Sequence, residues 1–329
     1  ALRFEAFVSP LRLVFQSMEE QPFASFQDAL AVVTGGGDGM GRSLCLNLVA
    51  DGCSVALCDV NTEKMNETLA FCERAKAGGV TVTAHHVDVS DEKQVLKFAD
   101  EVARLHITKG RKMMVFNNAG INSDESILGD RASWERCFNV CWGGVYYMTR
   151  AFMPLLLDSK HGHIINTSSV CGFWASVGFL SQHTSYSASK FAVKGFTEAL
   201  INDLKLNAPH IQATLVMPGH IGTSIGFNSI GEISPAKVQN MRERAGMKAR
   251  AVERLRGTED YEKLKNTGQL KAFTDDLSNV SDEKLAKRLE KTATMFSQGG
   301  MTPNIAAERI LRGVRQGQWR ILLGADAKL

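Results

Sequence analysis

The sequence predicts an α/β fold, a doubly wound parallel sheet of about seven strands covered by helices on both faces. Two observations predict it. Short apolar or β-branched runs alternate with amphipathic stretches along most of the chain. A glycine-rich turn, TGGGDGMG at 34–41, separates the first such run from the first amphipathic stretch. This alternation is typical of right-handed strand–helix–strand units, which require a parallel sheet.

The first half of the chain supplies four of these strands. Each is a short run that ends in a polar or glycine-containing turn. The predicted strands are ALAVVT (29–34), CSVALCD (53–59), VTVTAHHVDV (80–89) and KMMVFNNAG (112–120). The helices between them begin after polar residues suited to capping, at Asn61 or Thr62 and at Ser90.

The second half continues the alternation through two long helices and two further strands. They lie at 132–157 (helix), 162–169 (strand), 185 to about 207 (helix) and 209–219 (strand). A last helix and a short strand at 319–323 end the chain. Residues 224–302 are polar and helix-rich, so we expect a helical insertion over the carboxyl edge of the sheet. On this interpretation 29–329 is a single domain, and 1–28 is a leader or extension.

Composition excludes several classes of protein. Of 329 residues, 44% are apolar, and a net charge of +3 gives no reason to expect nucleic acid as a partner. No uninterrupted apolar run reaches the roughly 18 residues of a membrane span. The seven cysteines form no CxxC pair, so we expect reduced thiols, a cytoplasmic location and no metal. Cys137 and Cys141 share a helix face, where two thiols without nearby histidines are expected to pack.

The glycine-rich turn lies where a dinucleotide needs it, between a strand and a helix. Its glycines allow the tight turn, the approach of a pyrophosphate, and helix–strand packing, at Gly35, Gly39 and Gly41 respectively. Asp59 ends the second strand, where a carboxylate can accept hydrogen bonds from both ribose hydroxyls. Asp59 and Asp38 would repel the additional phosphate of NADP, whereas Arg42 argues the other way. We expect NAD(H), rather than NADP, on a Rossmann-type sheet.

Six motifs occur in one order, each at a strand end or on a helix. They are TGxxxGxG at 34–41, NNAG at 117–120, Asn139 in FNVCW, Ser169 ahead of VCG, YxxxK at Tyr186–Lys190, and PGxIxT at 218–223. With this set the chain resembles the short-chain dehydrogenase/reductase superfamily, in its single-domain branch. The resemblance covers about 28–223 together with the last helix and strand.

The resemblance implies a cofactor site along the carboxyl ends of the strands. Asp88 would contact the adenine, the Asn118–Gly120 backbone would line the cofactor, and Thr223 would hold the nicotinamide carboxamide. The full set of implied cofactor-binding residues is Gly35, Asp38, Gly39, Met40, Gly41, Asp59, Val60, Asp88, Val89, Asn118, Ala119, Gly120, Tyr186, Lys190, Pro218, Gly219, Ile221 and Thr223. A homodimer or homotetramer, assembled through the two long helices, is also implied.

Tyr186 and Lys190 are four residues apart and so share one helix face. A tyrosine with a pKa of about 10 is poorly matched to proton transfer near neutrality. A neighbouring ammonium and a positive nicotinamide ring both favour the phenolate and would lower that pKa. We therefore predict Tyr186 as the general acid and base. By resemblance, Lys190 also binds the nicotinamide ribose.

Two more catalytic residues are expected. Ser169 would donate a hydrogen bond to the substrate oxygen and stabilise the charge that develops there, with Ser168 as the competing candidate. Asn139 is carried over from the resemblance as the anchor of a water path from Lys190 to solvent.

The segment after Ser169, VCGFWASVGFLSQHTS, is longer than is usual in the resembled family. Its large apolar side chains are either core or the wall of a pocket for a hydrophobic substrate: Phe173, Trp174, Phe179 and Leu180. The insertion at 224–302 follows Thr223, so we expect it to act as a lid over that pocket.

The predicted function is NAD(H)-dependent interconversion of a secondary alcohol and a ketone. Two alternatives stay open. A non-catalytic NAD-binding sensor or scaffold could use the same fold, because a fold does not secure an activity. An anionic, CoA-linked substrate or another anionic partner could use the basic run Lys237–Arg256, which otherwise is a solvated helix face.

Overall fold

A computed structural model describes residues 22–106, 108–122, 127–175, 183–225, 235–268, 270–274, 277 and 280–327. Within them, seven parallel strands form one sheet in the order β3-β2-β1-β4-β5-β6-β7. The strands are β1 (Leu30–Thr34), β2 (Ser54–Asp59), β3 (Val82–His86), β4 (Lys112–Asn117), β5 (His161–Thr167), β6 (Ile211–Pro218) and β7 (Arg320–Leu323). The strand order reverses between β1 and β4, as in a doubly wound sheet. The predicted fold class is confirmed.

Helices cover both faces of the sheet. They are α1 (Gly39–Ala50), α2 (Thr62–Ala75), α3 (Glu92–Leu105), α4 (Arg131–Phe138), α5 (Gly144–Leu157), α6 (Thr184–Asn207), α7 (Pro235–Arg254), α8 (Glu259–Asn266), α9 (Leu270–Thr274), α10 (Asp282–Gln298) and α11 (Pro303–Arg315). A π-helical turn, Asn139–Gly143, joins α4 to α5, so the predicted helix at 132–157 is continuous but locally wider.

The side chains of β1 point alternately to the two faces of the sheet, and both faces are covered by helices. Ala31 and Val33 pack into the core formed with α1, α2 and α11, whereas Leu30 and Val32 pack into the core formed with α3, α5 and α6. All four side chains are fully buried. A strand buried on both faces has no polar face, which is why it appears in the sequence as an unbroken apolar run.

The insertion after β6 is helical where the structure describes it. Helices α7 and α10 and residue Leu277 share a small apolar cluster that includes Val238 and Leu285. Arg242 donates to the carbonyl of Leu277 and pairs with Asp282, so this cation of the basic run is engaged within the insertion. Across the described ranges, no helix combines the length and apolarity needed to cross a membrane. Most of the predicted leader, 1–21, lies outside the described residues.

Candidate active site

Thr34 joins two of the predicted motifs at the carboxyl edge of the sheet. Its hydroxyl accepts hydrogen bonds from the backbone N–H groups of Asn118 (3.0 Å) and Ala119 (2.9 Å) and donates to Phe116 O. The Asn118 side chain donates in turn to the Thr34 carbonyl at 3.0 Å. Asn118 Oδ1 is buried and has no hydrogen-bond partner within the described part of the chain. The NNAG turn is therefore fixed beside the glycine-rich loop, with one buried acceptor left over.

The glycine-rich loop has the geometry of a phosphate cradle. Gly35 and Gly39 have φ values of 63° and 54°, which favour glycine. A Cβ on Gly41 would lie 2.0 Å from the Gly35 carbonyl oxygen, so no side chain fits there. Helix α1 begins at Gly39, and the N–H groups of Met40 and Gly41 in its first turn have no intrahelical acceptor. These groups suit the pyrophosphate of a dinucleotide.

Asp59 and Arg42 have opposite relations to this loop. Asp59 accepts hydrogen bonds from Gly37 N and Asn61 N, both at 2.9 Å, and each carboxylate oxygen keeps a further lone pair for a ligand. Arg42 donates to the Gly37 carbonyl at 2.7 Å and pairs with Glu67 at 2.9 Å. The acid at the end of β2 is thus available to a ribose, whereas the arginine is committed to the loop itself.

Asp38 has a structural role in the loop. It caps α1 by accepting from Gly39 N at 2.7 Å, and its other oxygen pairs with Lys64 at 2.5 Å. Burial alone would raise the pKa of Asp38, but the hydrogen bonds from Lys64, Ser224 and Gly39 outweigh burial and hold it below its usual value. The carboxylate therefore stays charged, and Lys64 partly neutralises it.

The remaining residues of the predicted adenine side follow β2 and β3. Val60 is 53% exposed at the rim, whereas Val89 is buried against Gly144. Asp88 accepts hydrogen bonds from the backbone and the hydroxyl of Ser90, at 2.9 and 2.6 Å. Its carboxylate is held at the strand end by this turn.

The PGxIxT segment borders the glycine-rich loop from the other side. A Cβ on Gly39 would lie 3.1 Å from the Thr223 side chain, so the two segments are neighbours. Gly219 donates to Leu323 O of β7, and Ile221 forms an isolated bridge with Met301. Pro218, the last residue of β6, accepts a hydrogen bond from the Ser169 hydroxyl at 3.5 Å.

Helix α6 brings Tyr186 and Lys190 to the end of β5. Lys190 is 3% exposed, and its ammonium donates to the Thr167 carbonyl at 3.0 Å and lies 5.5 Å from the centre of the Tyr186 ring. The two predicted serines differ in their contacts. The Ser168 hydroxyl donates to the Lys190 carbonyl at 2.7 Å, whereas Ser169 Oγ accepts from Cys171 N and faces the Tyr186 hydroxyl. Ser168 is thus used in packing α6 onto β5.

The pKa of Tyr186 departs from the expectation. Burial raises it well above its usual value, the thiols of Cys141 and Cys171 act in the same direction, and Ser169 opposes them. In the chain without a cofactor, the Lys190 ammonium is directed at the Thr167 carbonyl, so it does not offset the effect of burial on the pKa of Tyr186. The predicted lowering of the pKa of Tyr186 is therefore not found in the protein without its cofactor.

A pair of thiols, Cys137 and Cys141, lies beside the cofactor turn on the helical segment that also carries Asn139. Asn139 is exposed, and it lies two residues from each cysteine, on the opposite side of the helix. Cys141 Sγ donates to the carbonyl of Ile121 at 3.1 Å, and Cys137 Sγ approaches the same oxygen at 3.6 Å. Among the described residues, none forms a hydrogen bond with the Asn139 side chain. The aspect of the sequence that pointed to the thiols was their shared helix face.

Comparisons with known proteins identify the family of the chain. The chain matches the model of the short chain dehydrogenase family over residues 29–230. It belongs to this family. Its relatives include the putative oxidoreductase SadH of Mycobacterium tuberculosis, 32% identical over 93% of this chain and 89% of that protein. Epidermal retinol dehydrogenase 2 of Mus musculus is 30% identical over 67% of this chain and 69% of its own.

Two solved structures share the fold of this short-chain dehydrogenase. A short-chain dehydrogenase/reductase from Burkholderia phymatum in complex with NAD has a TM-score of 0.64 at 24% identity, over 91% of this chain and 89% of that one. A putative short-chain dehydrogenase from Novosphingobium aromaticivorans has a TM-score of 0.62 at 22% identity, over 92% and 83%. The resemblance inferred from the motifs is confirmed, and the chain is an oxidoreductase of this family.

A buried amide network supports the site of the dehydrogenase from below, and sequence reasoning missed it. Asn117 Nδ2 donates to Asn166 Oδ1 at 2.8 Å, and Asn166 Nδ2 donates to the Thr197 hydroxyl at 3.0 Å. All three residues are at most 2% exposed. The network links the ends of β4 and β5 to α6. In the sequence, Asn166 could have been noticed as a polar residue near the end of an otherwise apolar strand.

The predicted substrate wall is described only in part. Phe179 and Leu180 lie outside the described residues. The Phe173 ring lies between Lys194 and Arg320, each about 5.8 Å from its centre, and Trp174 is 59% exposed. Of the two aromatic residues, Phe173 therefore packs between α6 and β7, and only Trp174 offers a free apolar surface.

Proposed function

We propose that this dehydrogenase interconverts a secondary alcohol and a ketone of hydrophobic character with NAD(H) as cofactor. The observation that carries the proposal is the convergence of Tyr186, Lys190 and Ser169 at the end of β5, next to the glycine-rich loop. A tyrosine and a serine hydroxyl side by side can hold one carbonyl oxygen between them.

Each side chain has a distinct role in this reaction. Tyr186 gives its hydroxyl proton to the substrate oxygen in ketone reduction and takes that proton back in alcohol oxidation. Ser169, rather than Ser168, donates a hydrogen bond to the same oxygen, because the hydroxyl of Ser168 is engaged by the Lys190 carbonyl. Bound NAD(H) would give or accept the hydride, and its oxidised form would carry a positive ring that favours the phenolate. Lys190 orients the ribose from its fixed position at Thr167.

The polar groups around the loop favour NAD over NADP. Asp59 stands where the ribose hydroxyls are expected, and an additional phosphate there would meet its negative charge. Arg42 and Lys64, the cations next to the loop, are paired with Glu67 and Asp38. Neither of these two cations is therefore left unpaired to receive a 2′-phosphate.

Cys141 is proposed here as a positioning residue, beside the predicted role of Asn139 as anchor of a water path. Its thiol holds the carbonyl of Ile121, and Gly120 lies between Cys141 and Lys190: a Cβ there would be 3.7 Å from the sulfur and 3.6 Å from the ammonium. The thiol thus sets the distance between the cofactor turn and the lysine. It touches neither the substrate nor the reacting atoms.

The hydrophobic substrate class rests on the exposed Trp174 and on the named activity of one relative, a retinol dehydrogenase. Helices α7–α10 begin twelve residues after Thr223, so a helical lid of this length can close over the groove and exclude water. A homodimer or homotetramer through α5 and α6 is part of the proposal, since Tyr146 and Phe191 on these helices are 41% and 42% exposed. The cytoplasmic location stays a prediction.

The experiment that tests the function is an absorbance screen at 340 nm with NAD and with NADP, across aliphatic, aromatic, retinoid and steroid alcohols and the corresponding ketones. Tyr186→Phe is the matched control for the chemistry. Turnover of a hydrophobic alcohol by the native chain, absent in the variant, is the expected result. Cofactor binding without turnover of any member of the panel would favour the sensor or scaffold alternative.

A further inference from the structure

A cavity lies at the opposite edge of the sheet from the candidate active site. Its volume is about 1060 Å³, and its lining comes from the residues that lead into β1, β2, β3, β4 and β5: Pro22, Ala24, Asp28, Ser54, Gly79, Thr81, Leu105, His106, Lys109, Gly110, Arg111, Lys112, Lys160 and His161. The active-site motifs lie at the carboxyl ends of the strands, so this amino-edge cavity takes no part in the proposed reaction. Its size is that of a small-molecule site.

Two loops brace one another to build the floor of the amino-edge cavity. Gly110 N donates to the Asp158 carbonyl at 3.0 Å, and Lys160 N donates to the Arg111 carbonyl at 2.9 Å. These backbone hydrogen bonds tie the connection before β4 to the connection before β5. Lys109, Arg111 and Lys160 are therefore held together by the fold, although 49 or more positions separate Lys160 from the other two.

Arg111 is held rigidly at the centre of this arrangement. Its Nε donates to the backbone carbonyl of Asp28, and its Nη2 donates to the Ser54 hydroxyl at 3.1 Å. Asp28 has a φ of 59°, an unusual value for a residue other than glycine. The Nη1 group makes no hydrogen bond with the described residues, so part of the guanidinium fork is available to a ligand. A guanidinium that is already oriented loses little entropy on binding an anion.

Ser54 offers a second donor in the same place. Its oxygen accepts hydrogen bonds from both Arg111 Nη2 and Thr81 N, the latter at 3.2 Å. Both lone pairs are therefore engaged, and the hydroxyl proton is left as a donor. The residue is 1% exposed, so this donor lies at the base of the cavity.

The cavity has a strong excess of positive charge. Four of its lining side chains are cationic, Lys109, Arg111, Lys112 and Lys160, against the single carboxylate of Asp28. Lys112 donates to the carbonyl of Ser25, and Lys109 and Lys160 have no side-chain partner in the described chain. Burial lowers the pKa of His106 to about 4, so this histidine adds no charge at neutral pH. The hydrogen-bond partners of Arg111 and Lys112 are neutral, and of the lining side chains only the Asp28 carboxylate offsets the mutual repulsion of the four cations.

We propose that the amino-edge cavity is a binding site for a small anion that carries two phosphate groups. An oriented guanidinium and a serine hydroxyl fit one phosphate, and the lysines on the two rims fit a second. Concave shape favours a small molecule over a nucleic-acid strand, and the net charge of the whole chain, +3, gives a strand no further attraction. This anion site is independent of the dehydrogenase activity proposed for the carboxyl edge of the sheet.

Calorimetric titration of the full chain with inorganic pyrophosphate tests the site. The double variant Lys109→Gln, Lys160→Gln removes two exposed charges without touching a hydrogen bond of the fold. We expect its dissociation constant for pyrophosphate to rise about tenfold or more. The matched control Lys284→Gln, Lys291→Gln makes the same change of charge on the exposed side of α10 and leaves binding unchanged. We also expect the affinity of the native chain for pyrophosphate to fall as the NaCl concentration rises, because salt screens the charges.

Three outcomes overturn the proposal. Equal affinity in the native chain and the Lys109, Lys160 variant removes these lysines from the site. Loss of pyrophosphate binding in Gly41→Ala, with the lysine variant unaffected, assigns the anion to the glycine-rich loop instead. Tighter binding of a single-stranded oligonucleotide than of pyrophosphate, lost in the same lysine variant, identifies the surface as a nucleic-acid contact.

Discussion

The thiol of Cys141 lies 3.1 Å from the carbonyl oxygen of Ile121, the residue that follows the cofactor turn. A hydrogen bond from Cys137 lowers the pKa of Cys141, against the effect of burial, and the charge of Lys190 acts in the same direction. The same contact raises the pKa of Cys137. The pair thus combines a fixed position with one sulfur whose pKa is lowered by its neighbours, next to the proposed acid–base tyrosine.

Two substitutions separate the geometric from the electrostatic effect of Cys141. Cys141→Ala removes the contact with Ile121, so we expect a several-fold higher KM for NAD. Cys141→Ser keeps a donor but does not ionise, so KM stays near the native value. The Cys141 sulfur also acts to raise the pKa of Tyr186, so its replacement by oxygen moves the rise of the oxidation rate to lower pH. Steady-state kinetics from pH 5.5 to 10 measure both effects.

Cys72→Ser is the control for the cost of placing a hydroxyl among buried residues, since Cys72 is also fully buried but lies on α2. It should leave both KM and the pH profile unchanged. Native kinetics in both Cys141 variants would reduce the thiol to a packing role.

Tyr186→Phe removes the hydroxyl proton and keeps the ring. General acid–base groups typically contribute about 10²–10⁴-fold, so we expect kcat to fall by at least two orders of magnitude. The affinity for NADH, followed by its fluorescence, should stay within a factor of about two. Tyr146→Phe, at an exposed tyrosine of α5, is the control and should be fully active. Turnover retained by the Tyr186 variant would remove this residue from its role.

The sequence predicts the sheet well because its inner strands are buried on both faces and flanked by glycine or polar turns, as β1 illustrates. It predicts the glycine loop and the YxxxK pair for a similar reason, since both depend on local spacing. It does not predict which side of a helix faces the site where a π turn changes the periodicity. Asn139 was carried over from the family pattern, and its exposed position opposite the two thiols is visible only in the structure.

Contacts between distant segments are the other limit of sequence reasoning. The pKa of Tyr186 depends on burial by several elements, and no spacing between two residues reveals it. The hydrogen bond from Asn166 to Thr197 joins positions 31 apart. The basic cavity at the amino edge draws on five separate connections. Each of these features requires the tertiary fold.

Asp59→Asn tests the choice of cofactor. The amide keeps an oxygen that can accept from Gly37 N but removes the negative charge. We expect the ratio of kcat/KM for NADP to that for NAD to rise about tenfold, which corresponds to about 1.4 kcal/mol of relieved repulsion. Asp91→Asn makes the same change of charge at the N-cap of α3 and should leave the ratio unaltered. An unchanged ratio in Asp59→Asn would refute the argument for NAD.

Gly41→Ala should abolish cofactor binding, because the new Cβ would lie 2.0 Å from the Gly35 carbonyl oxygen and force the loop apart. Gly195→Ala is the matched control. Gly195 lies inside α6 with no atom within 4 Å of the added methyl group, so alanine there should stabilise the fold by about 0.5–1 kcal/mol. Titration with NADH and urea unfolding measure the two effects. Normal NADH affinity in Gly41→Ala would show that the loop does not hold the cofactor.

His163 makes the stability of the fold dependent on pH. Burial lowers its pKa to about 3, and its Nε2 is directed at the Thr214 hydroxyl at 2.8 Å. A histidine whose folded pKa lies below its unfolded value of about 6.5 binds protons mainly in the unfolded state below pH 6.5. Its contribution is therefore fully present above pH 6.5 and is lost as the pH falls toward 3. Between pH 7.5 and 5 the loss amounts to about 2 kcal/mol.

His163→Gln keeps a donor for Thr214 and removes the titration. We expect its free energy of unfolding in urea to be lower than the native value at pH 7.5 but to fall less between pH 7.5 and 5, by about 2 kcal/mol. The remaining dependence comes partly from His106, whose pKa burial also lowers, to about 4. His86→Gln, at an exposed histidine of β3, should keep the native pH dependence. If His163→Gln loses stability with acid as steeply as the native chain, the buried imidazole is not the group that unfolding protonates.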